Sequence, residues 1–231
     1  MSTSPDAQAH QLIRHYSIKI HVGYQTNFLF WKGFNHLWSG QGFAIDAYHI
    51  VTCAHVVGRA KPNGFRFPNH PNLPTIDRVI TFPNGDEYDG KDIAIIAFSK
   101  PHGLPIAPLA QTGPAVGMPI MFSNKNGTFR KGSVNFYGSS DNLWDALITS
   151  GILDPQAMPP KLERVIKELK PFRTTDLFSN LVVKNGDSGS PVFNMQGEII
   201  GMAHATSRIT YQSMMMPIED IRHNVADLLG R

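Results

Sequence analysis

The stretch KNGDSGSPV, residues 184–192, places Ser188 between two glycines at the head of an apolar run. Glycine admits backbone conformations that are closed to other residues, so a serine hydroxyl can be presented here on a tight turn. The main-chain amides of Gly186 and Ser188 could then point at one spot and hold a developing oxyanion. Surface turns also use Gly, Asp and Ser for their turn chemistry alone, so this motif does not establish catalysis by itself.

Two further stretches supply the partners that a serine nucleophile needs. TCAHVV, residues 52–57, carries His55 at the end of a strand-like run, and KDIAIIAF, residues 91–98, opens with Asp92. A serine hydroxyl needs an adjacent base at neutral pH, and a buried carboxylate orients that imidazole. An exposed strand-start aspartate is the plain alternative for Asp92. The chain order His, Asp, Ser separates this sequence from α/β-hydrolases and subtilisins, which use other orders.

The three blocks TCAH (52–55), DIA (92–94) and GDSGSP (186–191) resemble the signature blocks of chymotrypsin-like serine peptidases. Their detail is closest to the bacterial, disulfide-free branch, which comprises glutamyl endopeptidases and HtrA-type proteases. The resemblance covers residues 15–138 and 175–230. It implies an all-β fold of two β-barrels, a peptide or protein substrate, and catalysis by His55, Asp92 and Ser188 without a cofactor or metal.

The same resemblance divides the chain. Residues 1–14 are expected to form a tail or a short helix, 15–110 a first barrel with the histidine and aspartate, and 111–231 a second barrel with the serine. Within the second barrel, residues 139–174 form an insertion, and a closing helix is expected over 217–230 with Pro at its start.

The insertion 139–174 departs from the family pattern. Its segment 161–170 has helical spacing, with Leu162, Val165, Ile166 and Leu169 on one face between two prolines. A loop packed on the barrel, a lid, and a docking surface for a regulatory protein partner remain open as its role.

Period-two alternation and turn residues predict the strands in between. They are expected at 16–22, 48–57, 76–82, 93–98, 116–122, 128–137, 178–183, 198–202 and 211–216. The segment Asn27–Trp38 is rich in aromatic residues, for which core or strand-face packing is favoured over a rim that holds peptide side chains. Asn126-Gly127-Thr128 matches a glycosylation sequon, but a hairpin turn is favoured.

Composition narrows the setting of the protein. Its 231 residues carry a net charge of +3 and no dense Lys/Arg run, so a nucleic-acid partner is not supported. No run approaches the roughly 20 apolar residues of a membrane helix, and no signal peptide is evident. The only cysteine, Cys53, excludes an internal disulfide and is expected to be packed and inert. Together these features favour a cytoplasmic protein.

Substrate preference is less constrained. The resemblance places the base of the primary pocket at Val182 and Val183, which disfavours a preference for Lys or Arg. Glutamyl endopeptidases use a pocket histidine near the place of His204, but here it falls one residue later, and such a shift turns a strand side chain to the other face. The backbone of the segment AHAT, which contains Ala203, His204, Ala205 and Thr206, is expected to pair with the substrate strand.

Asp187 leaves the state of the enzyme open. Secreted trypsins pair this aspartate with a new amino terminus, whereas the bacterial groups usually have Asn here. In this chain it must be solvated, paired with a basic side chain such as that of Lys184 or Arg173, or left disturbing the oxyanion hole. The last case predicts a latent enzyme that a partner or cleavage activates. An inactive protease-fold binding module and an HtrA-type protease remain as alternatives, although the HtrA-type resemblance leads one to expect a peptide-binding domain after the catalytic one, for which these 231 residues leave no room.

Overall fold

The architecture is that of two β-sheets that curl into a chymotrypsin-like double barrel, followed by a C-terminal helix. The computed structural model describes residues 5–28, 31–58, 64–82, 91–139, 175–206 and 213–231. Most of the insertion 139–174, with its predicted helix, lies outside the described residues, as does the turn at 83–86. None of the described helices is long and apolar enough to cross a lipid bilayer.

The first sheet has six strands in the order β4-β1-β2-β3-β6-β5. Their bounds are β1 Ile18–Phe28, β2 Trp31–Ala44, β3 His49–Thr52, β4 Phe65–Arg66, β5 Ile76–Thr81 and β6 Ala94–Phe98. All five residues of β6 are buried, as their unbroken apolar run predicts for a central strand. A short helix, α2 Ala54–Val57, follows β3 directly.

The second sheet closes into a barrel in the order β10-β11-β12-β9-β8-β7. Its strands are β7 Pro119–Ser123, β8 Phe129–Ser139, β9 Thr175–Ser179, β10 Pro191–Phe193, β11 Ile199–Thr206 and β12 Ser213–Pro217. The turn between β7 and β8 contains Asn126, Gly127 and Thr128, which confirms the hairpin turn predicted there.

Two helices complete the molecule. Helix α1, Pro5–Tyr16, packs against β7 and buries Ile13 fully, so residues 5–16 form a docked helix, one of the two forms expected there. Helix α3, Ile218–Leu229, begins after Pro217 and ends at Gly230 in the left-handed conformation. Its buried Ile218 and Ile221 join the core of the first sheet, which also includes Phe193 and Met202 of the second barrel.

Of the two packing modes predicted for the aromatic segment 27–38, the described side chains on β2 fit the strand face and not the core. Trp38 is 42% exposed and Phe34 is half-buried, so neither belongs to the core. Both side chains instead contact neighbouring elements of the first sheet. The indole N–H of Trp38 donates to the Val56 carbonyl at 2.7 Å, and the Arg66 guanidinium lies 5.0 Å from the centroid of the Phe34 ring. The side chains of Phe28, Phe30 and Trp31 lie outside the described residues.

Candidate active site

His55 and Asp92 meet because their two strands are neighbours. Strands β3 and β6 pair antiparallel with Thr52 opposite Ala94, so the residues that follow β3 lie beside those that precede β6. The Nδ1 of His55 lies 2.7 Å from Oδ2 of Asp92, and the His55 main-chain N–H donates to Oδ1 at 2.9 Å. An ionised carboxylate only accepts hydrogen bonds, so in a neutral ring this contact places the proton on Nδ1 and the lone pair on Nε2.

Exposure differs sharply between the two partners. The Asp92 side chain is 1% exposed, whereas that of His55 is 35% exposed. Two hydrogen bonds from His55 offset the cost of burying the carboxylate. The imidazole is therefore oriented by the buried carboxylate while the ring itself remains partly exposed.

Two glycines shape the turn that carries Ser188. Asp187 N–H donates to the Lys184 carbonyl at 2.8 Å with Gly186 at φ +90°, which defines a type II turn. Gly189 has φ +87°, and a Cβ there would lie 1.9 Å from the Gln41 carbonyl oxygen. Both positions therefore require glycine. Each has a positive φ, and Gly189 in addition leaves no space for a Cβ.

The same turn is attached to the first sheet next to His55. The Gln41 N–H donates to the Ser188 carbonyl at 2.8 Å. At Gly40, a Cβ would lie 2.5 Å from the Val56 side chain and 3.1 Å from the Ser188 carbonyl oxygen. Since Val56 adjoins His55 in α2, the missing side chain of Gly40 allows the serine turn and the histidine helix to come together.

The main-chain amides of Gly186 and Ser188 are the groups predicted to hold an oxyanion. Within the described part of the chain, the amides of Gly186 and Ser188 donate to no protein acceptor. Buried amides are nearly always paired, and both residues here are only half-buried. Two neighbouring amides left over by the fold are suited to receive an oxygen from a ligand.

His204 is a second histidine beside Asp92. It occupies a bulge in β11 between Ala203 and Ala205, and its side chain is 7% exposed. Its Nδ1 lies 3.9 Å from Asp92 Oδ2, and its carbonyl oxygen accepts a hydrogen bond from Ser188 Oγ at 3.4 Å. The bulge thus turns this side chain toward the carboxylate.

Asp187 is fully buried and has two main-chain partners. Its Oδ1 accepts from the Lys125 N–H at 2.7 Å and its Oδ2 accepts from the Lys184 N–H at 2.9 Å. Lys184 thus contributes through its backbone and not through its side chain, whereas Arg173 lies outside the described residues. The sequence alone gives no sign of the contact between Lys125 and Asp187, because the two residues are 62 positions apart and no local pattern connects them.

The sequence of the chain matches a known family of proteins. A model of the trypsin-like peptidase domain matches residues 40–202, more than two thirds of the chain. The chain belongs to this family. The matched span contains all three residues of the predicted triad, and no curated protein matches the chain.

Solved structures agree with the trypsin-like fold. The chain is similar to Rv3671c of M. tuberculosis, a serine-to-alanine mutant in its inactive form, with a TM-score of 0.63, 15% identity, and coverage of 100% of this chain and 96% of that one. The active form of the same protease gives a TM-score of 0.61 at 14% identity, covering 96% and 85%. The serine endoprotease from Yersinia pestis gives 0.62 at 14% identity, covering 99% and 67%. At such identities these likenesses show the fold alone.

The remaining residues predicted to bind substrate in this trypsin-like domain lie before the serine turn and along β11. Val182 is 60% exposed, whereas Val183 and Ala203 are buried. Ala205 and Thr206 belong to β11 by their backbone, and their side chains lie outside the described residues.

One set of donor atoms in this trypsin-like domain has the composition of a metal site. Ligand atoms of Cys53, His55 and Asp92 lie within 4.8 Å of one another. Cys53 is fully buried, as predicted, and its Sγ lies 3.5 Å from the Ala203 carbonyl oxygen. The histidine and the aspartate are bonded directly to each other, so this geometry is that of a hydrogen-bonded pair.

Proposed function

We propose that the protein is a serine endopeptidase in which Ser188 attacks the peptide carbonyl. His55 accepts the Ser188 proton at Nε2 and later donates it to the leaving amine, while Asp92 holds the imidazole and stabilises its cation. The 2.7 Å contact between His55 and the buried Asp92 is the observation that carries this proposal. It leaves Nε2 as the basic nitrogen of a partly exposed ring.

The oxyanion of the tetrahedral intermediate is assigned to the amides of Gly186 and Ser188. Both are without a protein acceptor in the described residues, and both belong to the turn that presents the hydroxyl. Loss of one such donor costs about 10²–10³ in kcat in related sites. Both partners of Asp187 are amides outside this pair, which supports an enzyme that needs no activating cleavage.

The substrate is proposed to bind as an extra strand along the end of β11. On one side, Ala205 and Thr206 pair with β12, while the pairing with β10 ends at Met202. Ala203 still exchanges main-chain hydrogen bonds with Gly189 and Ser190, but the described residues place no strand on the other side of Ala205 and Thr206. An extended peptide can hydrogen-bond to such an edge.

Primary specificity is proposed to be apolar. Val182 offers an exposed apolar surface next to the turn, and neither it nor Val183 supplies a carboxylate for a Lys or Arg side chain. The lone buried cysteine supports a reducing, cytoplasmic setting, and the short blocks around the triad support the disulfide-free bacterial branch. The insertion 139–174 remains our candidate for contact with a regulatory partner.

Labelling with a fluorophosphonate probe tests this function. We expect the probe to react with the wild type and with Ser99→Ala, a control at an exposed serine of the other barrel. Labelling should be lost in Ser188→Ala and His55→Ala, and peptide hydrolysis should fall at least about 10⁴-fold in both. Reaction at a residue other than Ser188, or equal labelling of all four proteins, would reject the proposal.

A further inference from the structure

The turn between β7 and β8 carries a lysine that contacts the proposed oxyanion loop twice. The main-chain N–H of Lys125 donates to Asp187 at 2.7 Å, and its Nζ donates to the Asn185 carbonyl at 2.6 Å. A Cβ on Gly186 would lie 2.8 Å from Lys125 Cδ, so the lysine stem also covers this glycine. One residue from a distant hairpin therefore contacts three consecutive residues of the loop.

The contact with Asn185 determines the direction of the next amide. The peptide that joins Asn185 to Gly186 is trans and planar, so its C=O and N–H point in opposite directions. With the carbonyl held by the ammonium group, the Gly186 N–H is directed away from Lys125. Reversal of this peptide would withdraw the N–H from its side and would break a charge-assisted hydrogen bond.

The hairpin is rigid enough to act as a support. Oδ1 of Asn124 accepts from the amides of Asn126 and Thr128 at 3.0 and 2.8 Å, and Gly127 takes φ +75°. From outside, His10 of α1 contacts the Gly127 carbonyl oxygen at 3.0 Å. The position of Lys125 is thus set by contacts that do not involve the site itself.

We propose that Lys125 is a positioning residue of the oxyanion hole, which holds the Gly186 N–H toward the substrate carbonyl. The inference rests on the proposed peptidase function and adds the group that orients one of its donors. Lys125 touches no reacting atom; it acts through the peptide between Asn185 and Gly186 and through Asp187. It replaces, by contacts within the folded chain, the support that a new amino terminus gives this aspartate in secreted trypsins.

The test compares Lys125→Met with Lys125→Arg and with Lys100→Met, a control at an exposed lysine of the first barrel. Methionine keeps the stem and the backbone N–H but removes the ammonium group. We expect kcat for a peptide to fall about 10-fold to 100-fold while KM changes less than about twofold, since the interaction matters only in the transition state. The affinity for a matching peptidyl trifluoromethyl ketone should fall in parallel, and arginine should restore most of both.

Hydrogen exchange of the segment 184–190 provides a readout that does not need activity. Lys125→Met should exchange faster there than the wild type and Lys100→Met. An active wild type with unchanged kcat in Lys125→Met overturns the inference and leaves the peptidase function standing. An inert wild type with faster exchange in Lys125→Met rejects the peptidase function but supports the ordering of this loop by Lys125. An inert wild type with unchanged exchange rejects both.

Discussion

Asp92 has two histidines within reach, His55 at 2.7 Å and His204 at 3.9 Å. Because His204 is buried with its Nδ1 3.9 Å from the carboxylate, we expect it to support Asp92, whereas the family resemblance predicts a place near the specificity pocket. A residue that supports Asp92 should affect all substrates alike, whereas a pocket residue should affect only substrates with the matching side chain.

We expect His204→Gln to lower kcat/KM by the same factor, about 10-fold, for peptides with acidic and with apolar residues before the cleaved bond. The reason is that the substitution changes the surroundings of Asp92, which acts on every substrate alike. The measurement is kcat/KM on paired peptides that differ at this one position. A selective loss on the glutamyl peptide would instead assign His204 to the pocket.

Asp187 offers a test of latency. Its carboxylate accepts hydrogen bonds from Lys125 and Lys184, so Asp187→Ala leaves two part-buried amides without their acceptor. We expect the free energy of unfolding to fall by about 2–4 kcal/mol and kcat to fall at least about 10-fold. Urea unfolding and peptide hydrolysis check this, with the exposed Asp77→Ala as the control. Higher activity of Asp187→Ala would show that Asp187 restrains the site.

At the scale of elements, helix α3 contains an acid that titrates above its usual range. Burial, and then repulsion from Glu219, raise the pKa of Asp220 to about 6, above its ordinary value of 3.8. The folded protein therefore binds this proton more tightly than the unfolded chain does. The contribution of Asp220 to stability is largest below pH 4 and is lost as the pH rises through 6.

Asp220→Asn is accordingly expected to stabilise the protein above pH 6, with a gain that disappears toward pH 4. We estimate about 1 kcal/mol at pH 8, because partial exposure and the favourable charge at a helix start reduce the effect. Urea unfolding at several pH values measures it. The more exposed Asp227→Asn on the same helix is the control, and a gain independent of pH would contradict the assignment.

At the scale of the molecule, Gln41 joins the two sheets at the nucleophile turn. Its buried side chain donates from Nε2 to Ser190 Oγ at 2.6 Å and to the Ser123 carbonyl at 3.3 Å. Its own backbone holds the Ser188 carbonyl from the other sheet. Correct placement of the serine therefore depends on how the two halves dock.

We expect Gln41→Met to reduce the free energy of unfolding by about 1–3 kcal/mol, since it keeps the volume but removes both side-chain hydrogen bonds. The value of kcat should fall as well, because the turn loses part of its attachment. Thermal or urea unfolding and kcat/KM check this against Gln196→Met, an exposed control. Equal stability of the two variants would show that the docking does not rely on Gln41.

Much of this molecule could be predicted from local sequence. The apolar run at 93–98, the turn around Gly127 and the closing helix after Pro217 follow from rules of periodicity, turn chemistry and capping, which act over a few residues. The chain order of His55, Asp92 and Ser188 identified the fold class, since only one of the common triad folds uses it.

Tertiary structure decided the features that depend on residues far apart in the chain. The placement of His204 follows from a bulge in β11, one partner of Asp187 comes from a hairpin 62 residues away, and the indole of Trp38 bonds to Val56 of α2. Local patterns determine which backbone shape a segment favours, because propensity and capping are short-range energies. They do not determine which side chain meets a buried charge, because that contact forms only when both sheets have closed and docked.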